Sequence, residues 1–492
     1  MRSGEPAVAD PPRPVGGDRG GITPSSPLLV HSGRSTLVST DALLAHLPRL
    51  TALADALETD GHRLALLSLD APPGVLRGRL DAAERTAFAL ADEVRALRHA
   101  IATAQELYAE GERVVMGLQD VSVEWGIAYL ANAATPLLPG LVVGGLLAWS
   151  RMPGTSEQKR AALQGWMLEH PGLVTSPVFS AFVRHAVMGA DDAALGLAGA
   201  PPWVPVLLGE HGLGILGVDT SAAVLIAAGG VSGTPMFHET PVRVERTGVE
   251  RIEAPPAGAE ERLARVPDEE QIRIERYTAP GEEPRYVVYV APTQTFSPVA
   301  GEEPWDLTSN VAGVAGLPAG SIRAVEQAMA DAGIAPDSEI VLVGFSQGGL
   351  VADAVAASGD WNTVGLETYA DPGGGIELPE GIRGVAVRHS DDFVVATGGP
   401  QVPTDRTIVE RQAYPEGSEI PTDRAVPAHQ RRAYEETARL LDSARSPELR
   451  AELDTLDAFT HDYTGRPGSE ITTFRYRAER VPADAATSSA SG

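Results

Sequence analysis

The most constraining feature of this chain is a serine set between two glycines, where an apolar strand pattern gives way to a helical one. Ile340–Val343 is a run of β-branched residues and leucine that is typical of a buried parallel strand, and Leu350–Ala357 is alanine-rich and helical. Gly-Phe-Ser-Gln-Gly lies between them, at residues 344–348. A serine at a sharp strand-to-helix turn needs a strained backbone, and small residues two positions away on each side let the neighbouring elements approach. The pattern therefore predicts that Ser346 is a nucleophile whose hydroxyl lies at the top of a sheet, where a histidine can reach it.

This motif resembles the α/β-hydrolase superfamily, and the glutamine after the serine is similar to the cutinase-like and actinobacterial serine-esterase branches. In that family the acid follows a later strand and the base precedes a late helix. The strand pattern Gly384–Ser390 leads into Asp391 and Asp392, of which Asp392 is the better match because Phe-Val follows it. His429 stands in a loop ahead of a helical pattern. The resemblance implies the catalytic set Ser346, Asp392 and His429, in which an imidazole takes the serine proton and a carboxylate orients the imidazole.

Two alternative residues remain at the sequence level. Asp391 is the reserve acid, and either aspartate could instead cap a turn. His461 is the reserve base, although it lies beyond the further helical pattern Pro447–Leu456, which favours His429. His389 falls at the end of its strand and is expected to pack or to support the site.

An acyl-transfer site also needs donors for the oxyanion that develops in the transition state. The amide of Gln347, directly after the nucleophile, is the first expected donor. The loop after the strand pattern Arg285–Ala291 is expected to supply the second, from the backbone or side chain of Thr293 or Gln294.

The composition excludes several classes of function. The formal net charge of -27 over 492 residues would repel a polyanion, so nucleic acid is not an expected partner. The chain has no cysteine, so neither a disulfide framework nor a thiolate nucleophile is available. Lys159 is the only lysine, which argues against Schiff-base chemistry. Zinc-protease, dinucleotide-binding and phosphate-loop patterns do not occur, and the sequence predicts no metal and no cofactor.

In the C-terminal half, strand and helix patterns alternate. This predicts an α/β fold with a mostly parallel sheet and flanking helices, as in an α/β-hydrolase, preceded by an all-α N-terminal module. The alternating segment Glu470–Tyr476 is expected to add an edge strand. The predicted strands are 271–277, 286–291, 339–343 and 384–390, and the predicted helices are 321–332, 350–357 and 433–441.

Composition shifts divide the chain into six predicted segments. They are a disordered tail without a signal peptide (1–38), a helical hairpin (39–115), a hydrophobic helical middle domain (116–233), a charged proline-rich linker (234–270), the α/β-hydrolase domain (271–481) and a second disordered tail (482–492).

The hairpin is similar in outline to the helical-hairpin substrates of actinobacterial type VII secretion. Tyr108 and Glu112 match the spacing of the export signal of that family, although the usual Trp-x-Gly turn is missing from 66–78. A tyrosine and a glutamate four residues apart also occur by chance in helices. The secretion machinery as a partner, with export to the cell envelope, and a cytoplasmic location both stay open.

An uncharged stretch, Trp125–Ser150, is long enough to span a bilayer and has tryptophans near both ends. Its prolines and glycines would break a helix that faces lipid. A buried helical element is favoured, with membrane association as the alternative.

These observations predict a serine hydrolase, carboxylesterase-like or lipase-like, that cleaves a small ester or lipid substrate. Peptidase and thioesterase activities remain open. The alternative function is that of a catalytically inactive type VII-associated adaptor or export carrier with a hydrolase-like domain.

Overall fold

The computed structural model describes residues 26–32, 54, 56–69, 74, 76–91, 94–95, 154–188, 239–297, 299–399 and 401–481. Nine strands are described: β1 (Leu29–Ser32), β2 (Val242–Ile252), β3 (Ile272–Thr278), β4 (Arg285–Val290), β5 (Ile340–Phe345), β6 (Thr363–Tyr369), β7 (Arg383–His389), β8 (Thr407–Arg411) and β9 (Glu470–Arg480).

Twelve helices accompany them, of which the first two are α1 (56–69) and α2 (76–91). The others are α3 (Ser156–Glu169), α4 (Pro171–Val174), α5 (Pro177–Met188), α6 (Ala259–Ala264), α7 (Leu307–Val314), α8 (Gly320–Asp331), α9 (Gln347–Ser358), α10 (Phe393–Ala396), α11 (Arg431–Ser443) and α12 (Pro447–His461). A short 3-10 turn, Pro427–His429, precedes α11.

All nine strands form one sheet, in the order β1-β8-β7-β6-β5-β4-β3-β9-β2. The central strands β4 to β8 are parallel, and antiparallel strands extend the sheet at both edges. The strands and helices predicted in the C-terminal half are confirmed to within a few residues at each end. The molecule therefore has a mixed α/β fold around a sheet whose centre is parallel.

Helices cover both faces of this sheet, and its central strands are therefore buried on both sides. Every residue of β5 is buried, as expected for an apolar run in a parallel sheet. Leu342 packs on the face that also holds Met329 of α8 and Val355 of α9. Val341, one residue earlier, packs on the opposite face with residues of α6, α11 and α12. Alternate side chains of one strand thus enter two separate cores.

The segment 234–270, predicted as a solvated linker, contains β2 and α6 instead. β2 is charged because it is an edge strand with much of its surface in water, where it pairs ions with β9, as in Arg475–Glu250. Charge content alone does not distinguish such a strand from a linker. Since β2 lies outside β9, the prediction that the 470–476 segment forms an edge strand is also wrong.

Part of the segment 1–38, predicted as a disordered tail, joins the sheet. Leu29–Ser32 forms β1, which pairs antiparallel with β8. The Ser26 hydroxyl donates to the carbonyl of Gln412 at 2.6 Å. A four-residue strand is stabilised by an edge supplied by a distant segment, so its own short sequence carries little signal.

Helices α1 and α2 pack antiparallel in the segment expected to form a hairpin. The Ser68 hydroxyl bonds to Asp81, and the ring of His62 meets that of Phe88 edge-on with centroids 5.2 Å apart. The secretion-like pair Tyr108 and Glu112 lies outside the described residues.

The uncharged stretch Trp125–Ser150 likewise lies outside the described residues. Of the middle segment, 154–188 is described and contains α3, α4 and α5. Within the part of the chain that is described, none of the helices is both long enough and apolar enough to cross a bilayer.

Candidate active site

Ser346 occupies a strained turn between β5 and α9. Its φ is 55° and its ψ is -121°, a left-handed conformation that costs a non-glycine residue about 1–3 kcal/mol. Its amide donates to the carbonyl of Tyr369 at 2.8 Å, which ties the turn to the end of β6.

The flanking glycines are required by close backbone approach. A Cβ on Gly344 would lie 2.2 Å from the carbonyl oxygen of Gly348, and a Cβ on Gly348 would lie 2.1 Å from that of Val290. Real Cβ contacts do not come so close. The two glycines that predicted the turn in the sequence are therefore required by the packing around it.

Three residues from separate parts of the chain form a hydrogen-bonded series at this turn. The Ser346 hydroxyl lies 2.8 Å from Nε2 of His429, and Nδ1 of His429 lies 2.7 Å from Oδ2 of Asp392. Because a carboxylate only accepts, Nδ1 carries the proton of a neutral His429, and Nε2 is free to accept from the serine. The structure thus brings together the three residues that the sequence selected.

Asp392 is held by further donors. It is buried at the start of α10, where Oδ1 accepts the amide of Val394 at 3.0 Å. Its Oδ2 also accepts the phenol of Tyr434 at 2.9 Å, and the Tyr434 oxygen accepts the amide of His389 at 3.0 Å. Tyr434 was not selected from the sequence, where it is one more buried position of a helical pattern.

His389 supports the turn that carries His429. Its ring stacks on Tyr434 with centroids 3.7 Å apart, and its Nδ1 donates to the carbonyl of Ala428 at 2.9 Å. Burial lowers the pKa of His389 to about 4, so the ring is neutral near pH 7. His389 therefore packs against the site and supports it, as the sequence predicted.

The two alternative residues make other contacts. Asp391 accepts the amides of Ala413 and Tyr414, each at 2.8 Å, and so fixes the loop after β8. Burial raises the pKa of Asp391 to about 6. His461 is an exposed residue at the end of α12, and its Nδ1 lies 2.8 Å from the carbonyl of Asp457 on its own helix.

The expected oxyanion donors differ in whether their N–H and O–H groups are already hydrogen-bonded. Gln347 is the first residue of α9, so its amide has no acceptor within the helix. The donors of Gln294 are already engaged. Its backbone amide donates to the carbonyl of Trp305 at 2.8 Å, and its side-chain amide donates to the backbone carbonyl of Asp268 at 3.1 Å. Thr293 accepts from Asn310 at 3.0 Å through Oγ1. Of these two residues, only Thr293 keeps a side-chain donor that these hydrogen bonds leave unused.

A buried network holds the loop and the turn together. The side-chain amide of Gln347 donates to the carbonyl of Asp306 at 3.3 Å, and the Trp305 indole donates to that of Ala291 at 3.0 Å. Arg480 at the end of β9 pairs with the Asp306 carboxylate at 2.7 Å. Sequence reasoning missed this network because its members lie far apart in the chain.

No cluster of three or more His, Cys, Asp or Glu suited to a metal ion occurs among the described residues. A cleft of about 310 Å³ lies between Arg251–Glu253 and the Thr464–Ile471 region. This cleft lies at the end of the strands opposite to Ser346, because β4 ends near Ser346 and β9 begins at the other end of their common neighbour β3.

Comparisons of this chain with protein-family models, with curated proteins and with solved structures give no match.

Proposed function

We propose that this protein is a serine hydrolase of the α/β-hydrolase type that cleaves carboxylic esters or lipids through an acyl-enzyme on Ser346. The observation that carries the proposal is the unbroken series Ser346–His429–Asp392, with distances of 2.8 and 2.7 Å, at a strained strand-to-helix turn. Helix capping or packing alone would not require a serine in a left-handed conformation beside a histidine.

The order of steps follows from these contacts. The Ser346 oxygen attacks the acyl carbon while Nε2 of His429 takes its proton, and Asp392 stabilises the imidazolium that forms. The free amide of Gln347, with Thr293 from the neighbouring loop, stabilises the oxyanion. His429 then returns the proton to the leaving alcohol. Water, activated by the same histidine, releases the acid.

An apolar substrate is supported by the side chains next to Asp392. The ring of Phe393 meets that of Phe179 on α5 with centroids 5.4 Å apart, and Phe179 stacks near Phe182. These rings give an aromatic surface directly after the acid, which suits an acyl chain better than a charged peptide.

Reaction with a fluorophosphonate probe, together with turnover of short p-nitrophenyl esters, tests the proposal. Wild-type protein should be labelled at Ser346, and Ser346→Ala should lose labelling and about 10⁴-fold or more of kcat. Ser358→Ala, at the other end of α9, is the matched control and should retain both. An unlabelled wild type that is folded would refute the proposal and favour the non-catalytic adaptor or export carrier.

A further inference from the structure

Arg388, near the end of β7, is a buried cation that has no carboxylate partner among the described residues. Its side chain is 7% exposed, and its Nε is enclosed without a hydrogen-bond acceptor. Within the described part of the chain, no carboxylate lies within ion-pair distance of it. A guanidinium is always charged, so this position holds a desolvated positive charge.

The other buried arginines are different. Each of them has a carboxylate within 4.0 Å, and the pairs are Arg262–Glu367, Arg406–Asp353, Arg411–Glu436 and Arg480–Asp306. Arg406 is the closest comparison, because it binds both carboxylate oxygens of Asp353 at 3.0 Å. The fold therefore supplies partners to buried arginines as a rule, and Arg388 is the exception in the described region.

Nearby charges offset only part of the cost. Arg388 lies opposite Glu410 of β8, and Asp371, at the end of β6, also attracts it. Burial nevertheless lowers the pKa of Arg388 below its usual value, because burial and the nearby charge of Arg406 together outweigh the attraction of Asp371, Glu410 and Asp353.

Other buried polar atoms, on the segments that follow β6 and β7, also lack a hydrogen bond among the described residues. They are Oδ2 of Asp371, the hydroxyl of Ser390 and both side-chain amide atoms of Gln401, which lies against Gly374. Buried polar groups in folded proteins are normally bonded. The unbonded atoms of Arg388 and of Asp371, whose charges attract each other, therefore call for a partner that the described residues do not supply.

We propose that Arg388 is the centre of a binding site for an anionic group, a carboxylate or a phosphate. Both groups match the planar fork of a guanidinium and accept two parallel hydrogen bonds from it. Asp371 and Gln401 contact the remainder of the ligand and favour one that also carries hydroxyl or amide groups.

The site borders the candidate active site. Asp371 packs against Gly349, one helical turn after Ser346, and Arg388 lies four residues before Asp392. Binding of an anion there does not depend on the hydrolase proposal.

Calorimetric titration of the full chain with inorganic phosphate, and separately with succinate, tests the site at pH 7 and constant ionic strength in chloride. Wild-type protein should bind at least one of the two anions with one-to-one saturation. Arg388→Met should bind about tenfold more weakly or not at all. Arg388→Lys should fall between them, because it keeps the charge and loses the fork. Arg243→Met, on the exposed β2 edge, makes the same charge change and should bind as wild type does.

Melting without added anion separates this role from a structural one. Arg388→Met should lower the melting temperature less than Arg406→Met does, because it breaks no ion pair within 4.0 Å, whereas Arg406→Met leaves Asp353 unpaired. Saturating phosphate or succinate should raise the wild-type melting temperature and leave that of Arg388→Met unchanged. Failure of both anions to bind wild type, or equal binding by Arg388→Met, would overturn the proposal. Because no substrate is turned over, loss of hydrolase activity cannot be confused with either result.

Discussion

Two adjacent aspartates, Asp391 and Asp392, follow the same strand and do different work. Asp392 accepts from His429 and Tyr434, whereas Asp391 accepts two backbone amides of the loop after β8. A carboxylate that orients an imidazole and one that fixes a loop are thus neighbours in the sequence.

This division predicts unequal effects of the same substitution. Asp392→Asn should lower kcat by about 10⁴-fold, because the amide no longer holds His429 in the tautomer that accepts the serine proton. Asp391→Asn should leave kcat within about tenfold of wild type. Steady-state kinetics on p-nitrophenyl butyrate distinguish the two. Greater loss in Asp391→Asn would show that the acid has been misassigned.

His389 links protonation to stability. The pKa of a histidine in the unfolded chain is near 6.5, and burial lowers that of His389 to about 4. The unfolded chain therefore gains a proton on acidification before the folded protein does. The stabilising contribution of the neutral ring is fully present above pH 6.5 and is lost as the pH falls toward 4.

Denaturant unfolding at several pH values tests this linkage. Between pH 6.5 and 4, the free energy of unfolding of wild type should fall by about 3 kcal/mol more than that of His389→Gln, which cannot titrate there. Parallel pH dependences in the two proteins would contradict a neutral, buried His389.

At the scale of elements, the strand-to-helix turn is set by how closely β5, α9 and β4 approach. Gly348 lies against the backbone of β4, and a backbone carbonyl cannot move aside as a flexible side chain can. The same approach brings the Thr293 loop next to the start of α9. Close packing of these elements thus holds the strained serine beside the end of β4, from which the Thr293 loop leaves.

Gly348→Ala should therefore be among the most damaging single-methyl additions in the chain. We expect a loss of about 3 kcal/mol in the free energy of unfolding, together with loss of esterase activity, because the turn must open to admit the methyl group. Gly165→Ala, in the exposed helix α3 with open space around it, should be neutral or slightly stabilising. Chemical denaturation and circular dichroism of both variants give the comparison.

At the scale of the whole molecule, the segment expected to be a linker is part of the folded core. Arg262 of α6 is fully buried and pairs with Glu367 of β6 and Asp457 of α12. These contacts join three elements that lie about 100 and 200 residues apart in the chain. The α/β unit therefore begins at β2 or earlier.

Arg262→Met should destabilise this unit by about 3–5 kcal/mol, because it leaves two carboxylates near the core without their cation. Arg439→Met removes a partner of Glu260, also on α6 but exposed, and should cost no more than about 1 kcal/mol. Denaturant unfolding monitored by tryptophan fluorescence measures both. A small effect of Arg262→Met would mean that α6 is detachable, as a linker would be.

Local features of the sequence determined the serine turn and the alternation of strands and helices, whereas Asp392 and His429 were selected through the resemblance to the α/β-hydrolases. The local features depend on neighbouring residues, namely glycines two positions from a serine or a β-branched run. Periodicity and backbone sterics act over a few residues, so they can be read from the chain alone.

Only the tertiary structure decided which strands lie at the edges and which buried charges are paired. β1 and β2 were missed because a short or charged edge strand is stabilised by a partner hundreds of residues away in the chain, as β1 is by β8 and β2 is by β9. Gln294 matched the expected oxyanion loop, yet its donors are taken by Trp305 and Asp268. Arg388 and Arg406 both lie near strand ends. Asp353 of α9 pairs with Arg406 because of the way α9 packs on the sheet. Long-range contacts of this kind are set by the packing of the whole chain, which local patterns do not encode.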